Sequence, residues 1–230
     1  MQIYGLDIYL LLLVAPTAIF AMICQFRVSG TFKKYSQIPS RRRLTGADAA
    51  RRVCQLNEAS HVTVEQTGGN LTDHYDPRRN VIRLSQSVYA QASVAAIGVA
   101  AHEAGHAAQY AQGYGPARLR MSIVPITQLA SNLAMPLILM GLFISSFEFL
   151  FRIGVLCFAV AFLFQVVTLP VEFNASRRAL ATLESGGMLD SDELYAAKKV
   201  LNAAAMTYVA AMAVSLAQLL RLILLSNRRR

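Results

Sequence analysis

The chain carries His102-Glu103-Ala104-Gly105-His106: two histidines four residues apart, with a glutamate directly after the first. On a helix, positions i and i+4 lie on one face about one turn apart. Both imidazoles can then reach a single Zn²⁺ at about 2.0–2.1 Å. Glu103 points to the side of that pair, where a carboxylate meets the open coordination position. There it can take a proton from metal-activated water and later give it to a leaving amine. The competing reading is two helix histidines with an incidental glutamate.

Two histidines do not complete a catalytic zinc site, which usually has three protein ligands and an open position. The remaining histidines are His61 and His74. The best further candidate is Glu172, in Leu169-Pro170-Val171-Glu172-Phe173-Asn174-Ala175-Ser176-Arg177-Arg178, just where an apolar run ends. A carboxylate at such a depth is costly unless it is paired or bound to metal. The alternative partners for Glu172 are Arg177 and Arg178. Asn174 is a candidate to orient a ligand through a hydrogen bond. Asp73-His74-Tyr75-Asp76 gathers polar groups at a predicted hairpin, where His74 or Tyr75 could hydrogen-bond an oxyanion and the strand edge could take an extended peptide. A solvated turn accounts for the same residues. Tyr208 could face the site from the last apolar run or be a buried interfacial tyrosine.

These groups must be positioned by elements that are mostly apolar helices. A spanning helix needs about 20 apolar residues. Ile8–Phe26, Ile123–Phe147 and Ile153–Leu169 qualify, and Ala203–Leu225 is a weaker fourth, carrying Gln218 and Arg221. The first lacks a basic stretch before it and a small-residue cleavage site after it, so it reads as a retained anchor. The second and third are joined by Glu148–Arg152 and form a helical hairpin, which makes their far ends neighbours and brings Glu172 towards His102 and His106. The motif itself lies in a helix starting after Ser93 as N-cap and stopping near Gly113, with Gly105 a place where another element could approach closely. Thr45 with Asp48 reads as a capping box, and Ala49, Val53 and Leu56 share one face of the helix it starts. Val62-Thr63-Val64 predicts a short strand, and Leu71–Tyr75 with Val81–Leu84 a hairpin around Asp76-Pro77-Arg78-Arg79-Asn80. This small α+β part is too short to bury much core alone and should pack on the membrane helices or the bilayer surface.

Charge placement sets orientation. Arg27–Met121 holds 13 basic residues against one, Arg152, at the hairpin tip, so the motif-bearing segment should face the cytoplasm. A fourth crossing would put Arg228, Arg229 and Arg230 outside, against this rule. The chain divides into 1–26 (anchor), 27–122 (cytoplasmic α+β segment with the motif helix), 123–170 (helical hairpin), 171–202 (cytoplasmic segment with the third ligand) and 203–230 (apolar helix and basic tail).

Composition agrees. The chain has 230 residues, of which 55% are hydrophobic and 15% charged. Ordinary globular chains are roughly 45–50% apolar and about 25% charged, so extensive disorder is excluded. Net charge is +9, yet no aromatic-interleaved basic motif points to nucleic acid. Three widely spaced cysteines (Cys24, Cys54 and Cys157) build neither a disulfide framework nor a CxxC metal site.

The HEAGH stretch followed by Glu172-Phe173-Asn174-Ala175 resembles the gluzincin membrane peptidases of the HtpX heat-shock and CaaX prenyl protease group. Those pair HExxH with a glutamate in an E-F-x-A-D setting, and Ser176 stands here where that group has its aspartate. A fuller resemblance is to the neutral zinc metallopeptidases of the YugP type. It is carried by Thr31-Phe32-Lys33-Lys34-Tyr35, Leu71-Thr72-Asp73-His74-Tyr75-Asp76-Pro77, Val99-Ala100-Ala101-His102-Glu103, Thr168-Leu169-Pro170-Val171-Glu172-Phe173 and Leu201-Asn202-Ala203-Ala204. The resemblance implies a multi-pass zinc peptidase of a bacterial cell membrane.

The expectation is therefore a mainly α membrane protein, with three to four transmembrane helices and a small cytoplasmic α+β, zincin-like portion. Zn²⁺ is held by His102, His106 and Glu172, and Glu103 is the general base. Expected partners are a peptide or membrane-protein substrate and the lipid bilayer, with no nucleic acid and no oligomeric state assigned. Two alternatives are an intramembrane site-2-type protease and a non-catalytic membrane adaptor that retains zinc.

Overall fold

A computed structural model describes residues 2–3, 6–144 and 147–227. The basic tail 228–230, and with it the expectation about the side it faces, lies outside the described residues. After two short paired strands, β1 (Gln2–Ile3) and β2 (Leu6–Asp7), the chain forms seven helices and three more strands among the described residues. They are α1 (Leu10–Ser36, opening on a π turn), α2 (Gly46–Leu56), β3 (Thr63–Thr67), β4 (His74–Asp76), β5 (Val81–Ser85), α3 (Gln86–Tyr89), α4 (Val94–Ala111), α5 (Gly115–Phe143), α6 (Glu148–Ser185) and α7 (Ser191–Asn227). Helices α1, α5, α6 and α7 are long and apolar enough to cross a membrane. Each extends beyond its apolar run at one end or both, through residues such as Ala, Leu, Glu, Lys and Arg that are good helix formers, although α5 stops at Phe143 and α6 carries Pro170 inside it.

Two compact units emerge. One comprises residues 1–25, 119–169 and 207–230, the other 26–118 and 170–206. In the first, glycines bring the α5 and α6 backbones together. A Cβ on Gly154 would lie 2.7 Å from Ile138 Cγ1 and 3.0 Å from the Ala134 carbonyl oxygen, a spacing only a small residue permits. Ile138, Phe151 and Leu222 form the buried cluster of this unit, while Leu129, Leu156 and Leu163 point outward. A helix apolar on all sides is made to be buried or to face lipid.

The second unit is built around a three-stranded sheet of order β3-β5-β4. Strands β4 and β5 form the expected antiparallel pair, in register Tyr75↔Ile82, although β4 starts only at His74. Strand β3 runs parallel to β5, Val64 opposite Ile82, a pairing that no local pattern announces. Thr45 caps α2 as expected: its hydroxyl accepts from the Asp48 amide and the Asp48 carboxylate accepts from the Thr45 amide. Such a cap contributes about 1 kcal/mol. Ala49 and Val53 face the core, but Leu56 is exposed, and Ala47, Ala50 and Cys54 are also buried. Burial pushes the Cys54 thiol up to about 12, which leaves it a packed, inert group.

The core joins Val53, Ile82, Leu84 and Ile97 to Leu183 and Leu201. The extensions of α6 and α7 within 170–206 thus share one core with residues 27–118.

Candidate metal centre

Helix α4 begins at Ser93, whose hydroxyl accepts from the Ala96 amide, and gives way at Gly113 with φ of +69°. Alanines dominate its interior, and Ala100, Ala101, Ala104 and Ala107 are buried. His102, Glu103, His106 and Gln109 interrupt this apolar surface. His102 and His106 lie with ring centroids 4.8 Å apart, one helical turn from each other. Their side chains are 14% and 11% exposed, against 2% for Glu172.

The Glu172 Oε2 atom is 3.3 Å from His102 Nε2 and 3.4 Å from His106 Nε2. One ligand atom from each of the three residues lies within 4.8 Å of the others. Zinc at about 2.0–2.1 Å from its ligands places neighbouring tetrahedral donors about 3.3–3.4 Å apart. Both Glu172–histidine separations have that spacing, and the donor set of two imidazoles and a buried carboxylate fits a zinc ion.

A glycine brings α6 this close. A Cβ added to Gly105 would stand 2.5 Å from the Ala175 carbonyl oxygen and 3.1 Å from its carbon. Real Cβ atoms do not approach backbone so closely, so Gly105 is what lets α6 cross α4 one turn past Glu172. Gly105→Ala tests this against helix propensity, which by itself favours alanine by about 0.8–1.0 kcal/mol. We expect that variant to melt at a lower temperature and to bind less zinc. Gly98→Ala meets Ala197 at ordinary contact distance, its nearest atom the Cβ at 3.4 Å, and should be neutral or stabilising in the same thermal scan.

The ring nitrogens that face away from Glu172 are also engaged. His106 Nδ1 lies 3.0 Å from Gln109 Oε1. The Gln109 amide nitrogen donates to the Val171 carbonyl at 2.8 Å and to Asn174 Oδ1 at 2.9 Å. Both amide hydrogens are thus used, Oε1 must face His106, and His106 must carry its proton on Nδ1. Its Nε2 lone pair is left for the metal. Asn174 also accepts from Arg178 Nε at 2.8 Å, so it supports the histidine at one remove, through Gln109. His102 Nδ1 lies 3.0 Å from Ser176 Oγ, at the position where the HtpX-like group has aspartate.

Gln109 escaped the sequence reading. The available signal was its i, i+3 spacing from His106, weak because it resembles any polar residue near a helix end. Gln109→Leu keeps the volume but removes all three bonds, and we expect zinc affinity to fall about 10–100-fold in a competition titration with a chromogenic chelator.

Glu172 thus turns to the histidines, whereas Arg178 donates to Asn174 and Gln112 Oε1. Burial works to raise the Glu172 carboxyl, but hydrogen bonds and charge from both imidazoles outweigh it and hold the group well below the usual carboxylate range. Glu103, next to His102 and buried, is pushed the other way, to about 7. Burial is the main cause. The charges of Glu172 and Asp73 add to it, and those of His102 and His74 oppose it. Two carboxylates with opposed shifts in one site suit two different tasks.

The other candidates divide. His74 opens β4, its Nδ1 2.8 Å from the Thr72 carbonyl oxygen, and its charge acts on Glu103. The Tyr75 hydroxyl donates to Asn80 Oδ1, and its ring meets Tyr110 edge-on at 5.7 Å, which makes it a core and turn residue. Tyr208 lies on α7 within the apolar unit, whereas the three ligand residues belong to the other. The hairpin also holds Asp73, which the sequence groups with its other polar residues without assigning it a role of its own. Its Oδ1 accepts from the Ser85 amide at 2.8 Å and from the Ser85 hydroxyl at 3.1 Å, tying the approach to β4 to the end of β5.

Comparison with known proteins agrees with this centre. The family model described as "Putative neutral zinc metallopeptidase" matches residues 10–227. A Bacillus subtilis protein described as "Putative membrane protease YugP" is 46% identical over 201 residues, covering 87% of this chain and 89% of that protein. No solved structure matches the chain. With a family model covering nearly its whole length, and a centre of two histidines and a glutamate suited to Zn²⁺, the chain belongs to the neutral zinc metallopeptidase family.

Proposed function

We propose that this protein is a membrane-spanning zinc endopeptidase that hydrolyses peptide bonds on the cytoplasmic side. The observation that carries the reading is the convergence of His102, His106 and Glu172, with Glu172 Oε2 3.3 and 3.4 Å from the two Nε2 atoms and one ligand atom of each within 4.8 Å of the others, beside a buried Glu103. The membrane part is supported by the four long apolar helices and by the description of the Bacillus relative. The orientation is supported by 13 basic residues in Arg27–Met121 against the single Arg152 in the first turns of α6.

Bound zinc supplies a Lewis acid that polarises a peptide carbonyl and acidifies water. The chain's own residues do the rest. His106 is held with its proton on Nδ1 by Gln109, and Glu172 is kept ionised by the imidazoles it faces. Glu103 has its carboxyl raised by burial, so it can accept a proton near neutral pH from the attacking water. It can then pass that proton to the departing amine nitrogen as the C–N bond breaks. His74 is available to donate to the developing oxyanion.

A site-2-type intramembrane mechanism would put the motif inside a span, and α4 is not among the long apolar helices. A structural zinc is usually closed by four protein ligands; the cluster here offers three.

The reading is tested by metal removal. Purified full-length protein in detergent is treated with a chelator, assayed on a peptide library, and reloaded with Zn²⁺. Hydrolysis is expected to disappear and to return with about one zinc per chain. Undiminished cleavage by metal-free protein would overturn the assignment.

A further inference from the structure

Within the apolar unit, the ends of three helices enclose a cavity of about 170 Å³. Its walls come from Ile138 and Leu142 on α5, Phe151 and Phe158 on α6, and Leu222 on α7. The polar lining residues are Gln218 and Arg221, one turn apart on α7, with Arg221 Nη1 3.4 Å from Gln218 Oε1. An apolar cavity of roughly 150 Å³ is large enough to take up a small apolar guest. This one also presents a cation, Arg221, at its wall.

The cavity's position along the helices is informative. The lining residues fall in the last turns of α5, the first turns of α6 and the last turns of α7, all at the end where α5 connects to α6. Arg221 stands four residues before Leu225, where the apolar run ends, or about 6 Å along the axis. If the four helices cross a bilayer, as in the function proposed above on which this inference rests, Arg221 lies at headgroup depth and the aromatic and aliphatic wall lies deeper. An arginine near a helix end reaches for the interface, and basic pockets between spanning helices suit lipid headgroups.

We propose that this cavity binds an anionic phospholipid, with the headgroup phosphate on Arg221 and part of one acyl chain against the exposed lining residues Leu139 and Leu142. Guanidinium and phosphate match in charge and in fork geometry. A zwitterionic lipid would fill the same apolar wall but carries a compensating cation on its headgroup.

The test uses full-length protein, delipidated and placed in nanodiscs of equal parts phosphatidylglycerol and phosphatidylcholine of one chain length. Lipids retained by the protein are then counted by native mass spectrometry. Wild type should retain phosphatidylglycerol about tenfold over phosphatidylcholine, a ratio of the size that one charge-assisted contact supports. Arg221→Gln should bring the ratio near one and Arg221→Lys should keep most of it. Leu139→Trp, at an exposed position of the lining, should reduce retention of both lipids. Equal retention of both lipids by wild type would overturn the proposal, as would an undiminished phosphatidylglycerol excess in Arg221→Gln. Alkaline carbonate extraction of wild-type membranes separates the two levels of failure. Release into the supernatant defeats the spanning reading and this site with it, whereas an integral protein without lipid preference defeats the site alone.

Discussion

Replacement of Glu103 by glutamine is expected to lower kcat by about 10²–10⁴-fold, the range that a positioned general acid–base contributes, while zinc stays at one per chain. The substitution is nearly isosteric, so the packing of α4 against its neighbours is kept. It is also neutral, so a buried position that penalises the ionised carboxylate is relieved and the variant should fold at least as well as wild type. What glutamine cannot do is accept a proton. Turnover on the best library peptide, measured beside metal content by mass spectrometry, separates the two properties. A zinc-loaded Glu103→Gln protein whose kcat lies within tenfold of wild type would remove Glu103 from the proton-transfer role. Loss of zinc together with activity would show that the side chain serves the metal and not the proton.

The residue pattern makes the metal pair legible because helical geometry is local: four residues of separation put His102 and His106 on one face wherever the helix lies. Glu172 was legible for a different reason. It is a carboxylate at the end of an apolar run, and the short α5–α6 connection returns the chain to where it left. The long helices were legible from hydropathy, but not their ends, since α6 runs on past Leu169 to Ser185 with Pro170 inside it. What stayed hidden depends on packing between distant segments. The parallel β3–β5 pairing joins strands whose sequences look the same for either direction. Gln109 becomes meaningful only when α6 brings the Val171 carbonyl and Asn174 to it. Leu56 reads as inward by periodicity, yet it lies at the frayed end of α2, where the chain turns away through Asn57. Gly105 lay between these cases: its cost to the helix was visible, and the backbone that justifies it was not.

Glu172→Ala should behave in the opposite way to Glu103→Gln, losing the metal first and activity only as a consequence. Two imidazoles one turn apart make an incomplete grip, and the third donor adds both an ionised oxygen and the fixed angle between α4 and α6. Loss of a partner that merely orients a ligand weakens metal binding by about 10–100-fold, so removal of a direct ligand should exceed about 100-fold. Dialysed Glu172→Ala protein should then hold well under one zinc per chain. Excess Zn²⁺ should restore part of the occupancy but little turnover, because the remaining donors no longer define one coordination geometry. Truncation also leaves a small void at a buried position, so Glu172→Gln, which keeps the volume and loses the charge, separates the two effects. If Glu172 serves packing alone, the glutamine variant regains full metal content. If it is the third ligand, the glutamine variant stays depleted, since a neutral amide oxygen is a far weaker donor to zinc than a carboxylate held ionised between two imidazoles. Full zinc stoichiometry in both variants would leave the centre with only its histidine pair and would require a different residue to complete it.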